Sequence, residues 1–515
     1  LRFSRLRQQG GAGEAHTKFS CRHRTLSHTE KNTMHIPVER YLAMLQKELA
    51  TSLMPEDDNA KRIATYSQRV LNQLVARFNT LPALELKAIQ DLGGLLDELN
   101  AHLRSIDGAM VLTGTLTWYI RNDPDFEKLE PALQKVTSVL IANPSDKSRS
   151  LLQRIVTILA AKEAALDKVT REQELSHQSQ DKKAEVPPLD DKQKRALHNY
   201  LKTKFDEPTI ELGAIKAITG GGSKKTLIIK LLNARKLPAT IVLRADHFGG
   251  VVESTVVDEY QLIQTLYEGG LPVPQPYIAE PDPSIIGAAF VLLGLLEGEN
   301  NGDHISIYEP SRTFGLDLAT AIGKLHSIPP EKFGNKIRGA TMTTRELVLQ
   351  EMRTFETTWR GSDQASVVLE MGYAWLKDHI HFVDGARALN HCDLACHNWL
   401  AKDGRLTAIL DWETTVISNP AHDLAYLYHL VIQMMPWEDF IAQYEKAGGK
   451  APAQQEFDFF LLWTGIWRIT FLFVARSFFH SGMSESVVLA YGTQHLWQRA
   501  NCELHKTMAR IAERY

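Results

Sequence analysis

In the last third of the chain, three oxygen-bearing side chains stand at spacings suited to phosphate chemistry. The segment 390–413 reads NHCDLACHNWLAKDGRLTAILDWE. It sets His391, Asp393 and Asn398 in an H-x-D-x-x-x-x-N pattern, and Asp411 follows a short apolar run. Phosphoryl transfer asks little covalent chemistry of a protein; it needs an aligned nucleophile, neutralised phosphate charge and held Mg2+. Asp393 is placed to orient an acceptor hydroxyl and take its proton, with His391 beside it in the catalytic set. Asn398 can offer a neutral oxygen to the metal, and Asp411 an anionic one that links metal to phosphates. Hard oxygen donors suit Mg2+ better than a thiophilic metal. Trp412 and Glu413, next to Asp411, are open between supporting the site and packing.

Other elements must bring these groups together. Apolar runs at 210–218, 226–232 and 239–243 read as strands, separated by GGGS and by the turn NARKLP. A helix is expected over 256–266 and a further strand over 288–293; beyond residue 313 helical periodicity dominates, with a short strand at 406–410. Residues 36–170 carry repeated helical stripes, among them Ile63, Tyr66, Val70, Leu74 and Phe78, then Leu86, Ile89, Leu92, Leu96 and Leu99, then Phe126, Leu129, Leu133 and Val136. The resulting fold is α+β: a small antiparallel β-rich N-lobe and a helical C-lobe, preceded by an all-α accessory domain.

The boundaries follow composition. Residues 1–33 hold seven Lys/Arg against two Glu and no apolar run, so they read as a leader outside the fold. Residues 34–170 form the helical domain. Residues 171–194 are charged, contain Pro187-Pro188 and read as a linker. Residues 195–515 form the two lobes, divided near 298.

Together these motifs resemble the aminoglycoside phosphotransferase and choline kinase superfamily, over about 300 residues from Glu211 onward. HCDLACHN and ILDWE match its catalytic loop and metal strand; SNPAHDLAYL resembles its next helix start, which makes Asp423 structural. GKLHSI around His326 resembles the helix end before its substrate insert. The resemblance implies a two-lobed protein-kinase-like fold, Mg2+ and ATP, with GTP as the alternative nucleotide. Nucleotide phosphates would meet Gly220, Gly221, Gly222 and Ser223 in the hairpin after the first strand. FVLLGLLEG resembles the purine-binding hinge, with the backbones of Leu293 and Leu295 as contacts. Glu259 would pair with a phosphate-holding cation expected as lysine at the end of the third strand, where this chain has Arg244. Lys230 is the fallback cation. The same VLR stands in kinase-like domains attached to some acyl-CoA dehydrogenases.

Two departures from protein kinases favour a small acceptor. Cys392 replaces the arginine that reads a phosphorylated activation loop, and Asp-Trp-Glu replaces Asp-Phe-Gly. The expected activity is Mg2+-dependent transfer of a nucleotide γ-phosphate to a small-molecule hydroxyl, with a hydroxyacyl-CoA or similar hydroxy acid derivative as acceptor. An aminoglycoside- or choline-type kinase and a non-catalytic nucleotide-binding regulator stay open. A zinc reading of His391, Cys392, Cys396 and His397 lacks paired C-x-x-C spacing.

A net charge of −3 on 515 residues gives no electrostatic case for nucleic acid. Four cysteines fit a reducing compartment, here the cytoplasm. The apolar run 459–479 has the length of a membrane span, but Arg468 and Arg476 within it favour a buried helix whose arginines reach partners.

Overall fold

The computed structural model describes Tyr41, Met44, Leu45 and residues 58–174, 189–218, 224–246, 255–302, 307–362, 364–480 and 487–515. The leader, most of residues 34–57, the Gly220–Ser223 turn and most of the charged stretch lie outside the described residues.

The N-lobe is a five-stranded antiparallel sheet in the order β1-β2-β3-β5-β4. Its strands are β1 (Glu211–Ile218), β2 (Lys224–Leu232), β3 (Thr240–Asp246), β4 (Pro276–Glu280) and β5 (Phe290–Gly294). Strand β4, with no buried residue of its own, was not foreseen; an edge strand has no alternating core face to betray it. Side chains alternate across the sheet. Ile241, Leu243, Phe290 and Leu292 join Leu197 and Leu201 of helix α6 (Asp191–Phe205) on one face. Val242, Val291 and Leu293 face helix α7 (Val256–Glu268) on the other.

Helix α6 is capped by Asp190, whose carboxylate accepts the Gln193 N–H at 2.7 Å. The charged stretch is therefore not linker throughout. Its last residues open α6, and its first, Arg171–Glu174, end helix α5 (Asp146–Glu174).

Before the lobes come α1 (Asp58–Gly93), α2 (Leu96–Arg104), α3 (Met110–Arg121), α4 (Phe126–Ala142) and α5. The Ile63–Phe78 stripe and the Leu86–Leu92 part of the next share the single helix α1, which continues through Pro82, while Leu96 and Leu99 fall in α2. Phe78 and Leu86 turn out to be exposed, 54% and 46%, because the partners of α1 cover one side of it only. The other stripes are core: Leu129, Leu133 and Val136 are at most 1% exposed.

The C-lobe holds α8 (Arg312–Ser327), α9 (Thr344–Arg360), α10 (Val367–Asp378), α11 (Ala421–Val431), α12 (Trp437–Lys446), α13 (Gln454–His480) and α14 (Val487–Arg514). One continuous apolar cluster runs from Leu92 and Leu133 through Phe314, Tyr373 and Trp463 to Leu504, so the N-terminal helices share the C-lobe's core. Polar contacts sit in the same seam. Gln134 of α4 donates to Glu370 at 3.2 Å and accepts the Ser366 N–H at 3.0 Å. Gln498 of α14 donates to Glu163 of α5 at 3.0 Å.

Helix α13 is long and apolar enough to cross a membrane, yet 67% of that window is buried inside protein. Its arginines have protein partners: Arg468 lies over the Tyr426 ring at 4.0 Å and Arg476 over Trp497 at 5.2 Å.

Short strands frame the chemistry: β6 (Glu299–Asn300), β7 (Ala388–Asn390), β8 (Trp399–Lys402), β9 (Arg405–Ile409) and β10 (Val416–Ser418). The β8–β9 hairpin turns on Asp403 and Gly404, at φ 53° and 70°, where an Asp-Gly pair supplies the left-handed conformation cheaply.

A shared core has a measurable consequence. Leu133→Ala should cost about 2–5 kcal/mol by denaturant unfolding, and helical region and C-lobe should still unfold in one transition. Two resolved transitions would show that the regions are independent.

Candidate active site

The loop between β7 and β8 carries His391, Asp393 and Asn398, and its shape is held from below by Asp423. The Asp423 carboxylate, 0% exposed at the start of α11, accepts the His391 N–H and the Cys392 N–H, each at 2.8 Å. Cys392 adopts φ 64°, which turns two successive N–H groups toward one anion. His326 Nε2 lies 3.4 Å from the same carboxylate, and its Nδ1 is 2.9 Å from the Tyr444 hydroxyl. Burial alone would raise the pKa of Asp423. The hydrogen bond and charge of His326, with His391 and the Cys392 N–H, outweigh it and hold the group below the ordinary 3.8. The Cys392 thiol, buried beside this carboxylate, is pushed well above its usual value and is no nucleophile at neutral pH.

His391, which the sequence left between the catalytic set and packing, is tied into the loop by both ring nitrogens. Its ring is 0% exposed; Nε2 is 2.9 Å from the Leu410 carbonyl, and Nδ1 is 3.2 Å from the Asp393 N–H. With Nε2–H donating and Nδ1 accepting, neither nitrogen is left to meet a substrate. Leu410 is thereby tied to the loop twice, since its N–H also donates to the Asn398 carbonyl at 2.8 Å. Those two bonds fix the residue that precedes Asp411 to the loop that carries Asp393 and Asn398. Asp411 itself stands at φ 65°, a conformation that Asp tolerates better than most residues.

Asp393 is oriented on both oxygens. Oδ2 accepts the Asn398 Nδ2–H at 3.0 Å, and Oδ1 accepts the Tyr426 hydroxyl at 2.8 Å. Asn398 Nδ2 also reaches the Asp393 carbonyl at 2.9 Å, so the amide atom left for a cation is Oδ1. An amide oxygen and the Asp411 carboxylate fit Mg2+, which keeps several waters and needs few protein oxygens. Such an ion would bridge and neutralise nucleotide phosphates.

Tyr426 was missed in the sequence. It lies three residues after Asp423 on α11, a spacing that shares a helix face, within the DLAYL run. Burial, then the Asp393 charge, push its hydroxyl well above the ordinary value, so it stays a donor. Arg468 donates to the Tyr426 carbonyl at 2.9 Å while covering its ring.

Across the cleft, Arg244 Nη1 lies 3.3 Å from Glu259 Oε2, the pairing expected from sequence. Burial raises the Glu259 pKa most; Arg244 and Lys224 pull it down, and Glu413 and Asp411 push it up. The Trp412–Thr414 turn that follows Asp411 also touches α7, the helix of Glu259. Lys230 is exposed and pairs with Thr240. It lies four residues, about 13 Å, along β2 from Thr226, the partner of Arg244. Lys224, not singled out before, is the second cation at Glu259, 3.9 Å from Oε1.

The hinge candidates separate. Leu293 is inside β5, paired with Val242 and Pro276, which commits its backbone to the sheet. Leu295 is past the strand end and 45% exposed, in the segment that leads to the C-lobe. Trp412 packs on His391 at 4.5 Å between ring centroids and donates to the Ile409 carbonyl, so it is a packing residue. Glu413 lies on the Glu259 side.

This geometry has relatives. Residues 214–460 match the phosphotransferase enzyme family. Human acyl-CoA dehydrogenase family member 11 is 26% identical over 249 residues, 43% of this chain and 31% of the relative. Mouse acyl-CoA dehydrogenase family member 10 is 24% identical over 241 residues, 45% of this chain and 22% of the relative. The chain therefore spans less than a third of the length of these curated relatives. A Ralstonia eutropha protein crystallised as a candidate aminoglycoside phosphotransferase superposes with a TM-score of 0.50 at 18% identity. It covers 62% of this chain and 98% of its own, a likeness of fold: two kinase-like lobes. The phosphotransferase-family segment begins in β1 and ends in α13, so α1 to α5 stand outside it.

The Asp423 clamp generates a prediction with a definite sign. Asp423→Ala should cost about 3–5 kcal/mol, as removal of one partner from a buried charged pair does. Because the folded pKa is depressed below 3.8, the stabilisation is present above that pH and is lost as pH falls through the folded value. Acid titration of Asp423→Asn should accordingly show a shallower loss of stability below about pH 4 than the parent. An unchanged acid limb would remove Asp423 from this role.

Proposed function

We propose that this chain is a Mg2+-dependent phosphotransferase that moves the γ-phosphate of ATP, with GTP as the alternative, to the hydroxyl of a small molecule. The observation that carries the reading is the hydrogen-bonded set of Asp393, Asn398 and Tyr426, with Leu410, the residue before Asp411, tied twice to the same loop. Asp393, held on both oxygens, orients the acceptor hydroxyl and receives its proton as the phosphoryl group moves. Asn398 and Asp411 are the metal ligands. Arg244, steadied by Glu259, meets the phosphates as a planar cation.

The favoured acceptor is a hydroxyacyl-CoA or a similar hydroxy acid derivative. Its support is that the matched curated relatives are named acyl-CoA dehydrogenase family members. The cytoplasm is the proposed compartment, in keeping with Cys392, Cys396 and Cys502, which are buried and outside any disulfide.

The test is Mg2+-dependent nucleotide turnover against a panel of hydroxyacyl-CoA thioesters, simpler alcohols and aminoglycosides. Turnover should require one acceptor class, and Asp393→Asn should lower kcat about 10²- to 10⁴-fold with little change in nucleotide affinity. Asp411→Asn should weaken Mg2+-dependent nucleotide binding about 10- to 100-fold. Turnover that survives Asp393→Asn would remove the assigned base, and nucleotide binding without turnover on any acceptor would favour a regulator.

A further inference from the structure

We infer that Lys224, at the start of β2, is a nucleotide-phosphate-binding cation of this site, working beside Arg244. The inference rests on the nucleotide reading above and adds a residue to it.

The register of the sheet places the group. In the β2–β3 ladder Lys224 pairs with Asp246, and Thr226 with Arg244. Alternation puts these four side chains on one face, the face that α7 covers with Glu259. The Glu259 carboxylate is divided between the two cations: Oε2 is 3.3 Å from Arg244 Nη1, and Oε1 is 3.9 Å from Lys224 Nζ. Lys224 is the more enclosed of the two, its side chain 5% exposed against 20% for Arg244. Its ammonium is held by Asp246 Oδ1 at 2.8 Å, and that oxygen also accepts the Val256 N–H at the start of α7, 3.1 Å away.

An ammonium enclosed between Asp246 and Glu259, under the helix that touches the Trp412–Thr414 turn after Asp411, is in the path of phosphates that Asp411 would hold through metal. Arg244 and Lys224 differ in what they can do there. A guanidinium is a wide planar fork, suited to lying along a carboxylate, while an ammonium is a compact point charge with three donors. Lys224 can therefore keep Asp246 on one N–H and turn another to a phosphate oxygen. Arg244 keeps Glu259 in place and flanks the same anion. The two cations together supply what one strand-end lysine would otherwise provide, and the chain tolerates arginine at 244 because the ammonium comes from the neighbouring strand.

The experiment measures affinities of the full chain for ATP, ADP and adenosine in Mg2+ buffer, for the parent, Lys224→Met and Lys224→Arg. Loss of one charge-assisted phosphate contact should weaken ATP and ADP about 10- to 100-fold while adenosine changes less than about twofold. Lys224→Arg should recover part of the loss. In the parent, Mg·ATP should shield Lys224 from an amine-acylating reagent, read by mass spectrometry, and adenosine should not; this measurement stands even if Lys224→Met fails to fold. Equal weakening of adenosine and ATP, unchanged ATP affinity, or acylation indifferent to ATP would overturn the assignment and leave Lys224 as an ion-pair partner of Asp246. A parent chain that binds no nucleotide would overturn the reading of the site as a whole.

Discussion

The site depends on one buried anion. Asp423 sits at the start of α11 with no solvent to stabilise its charge, and it accepts two consecutive N–H groups of the catalytic loop. A carboxylate enclosed in this way must be matched by donors or abandon its charge. Here the match comes from backbone, so the anion dictates the path of the loop. His391 is then buried with its ring on the Leu410 carbonyl, and Asp393 follows it in the loop. From His391 the constraint passes to Leu410 and so to Asp411. A chain of hydrogen bonds from one aspartate thus fixes the loop of Asp393 and Asn398 and the residue before Asp411.

Aromatic and cationic packing closes that arrangement from the other side. Tyr426 shares α11 with Asp423, so the helix that holds the loop also orients the base. Arg468 secures Tyr426 from α13, a helix whose composition alone resembles a membrane span. The charge that looks misplaced in an apolar run supports the catalytic carboxylate through one intervening ring. Beyond the lobes, α1 to α5 are built into the same core through α4 and α14. Any change in their packing reaches the helices that carry Tyr426 and Arg468.

Much of the chemistry was legible because it is local. Asp393, Asn398 and Asp411 lie within nineteen residues on a loop and a hairpin, where spacing translates directly into geometry. The N-lobe strands were legible from their apolar alternation, apart from the edge strand β4, which has no buried face. Helix stripes such as Leu129, Leu133 and Val136 also read correctly, since period marks a buried face. Phe78 shared that period and is exposed, because a stripe states only that a face can be buried and not that a partner reaches every turn of it.

The sequence by itself determined residue types, their local spacing and the order of a β-rich lobe before a helical one. These depend on bonds and turns between near neighbours. Tertiary structure decided which cation meets Glu259, since Lys224 and Arg244 are twenty residues apart and join only through the β2–β3 register. It decided that the His391 ring is spent inside the lobe, because its partner is a carbonyl nineteen residues away. It also decided that Leu293 serves the sheet and that the N-terminal helices share the C-lobe core. Each of these outcomes rests on the register and packing of distant segments, for which a pattern read along the chain has no coordinate.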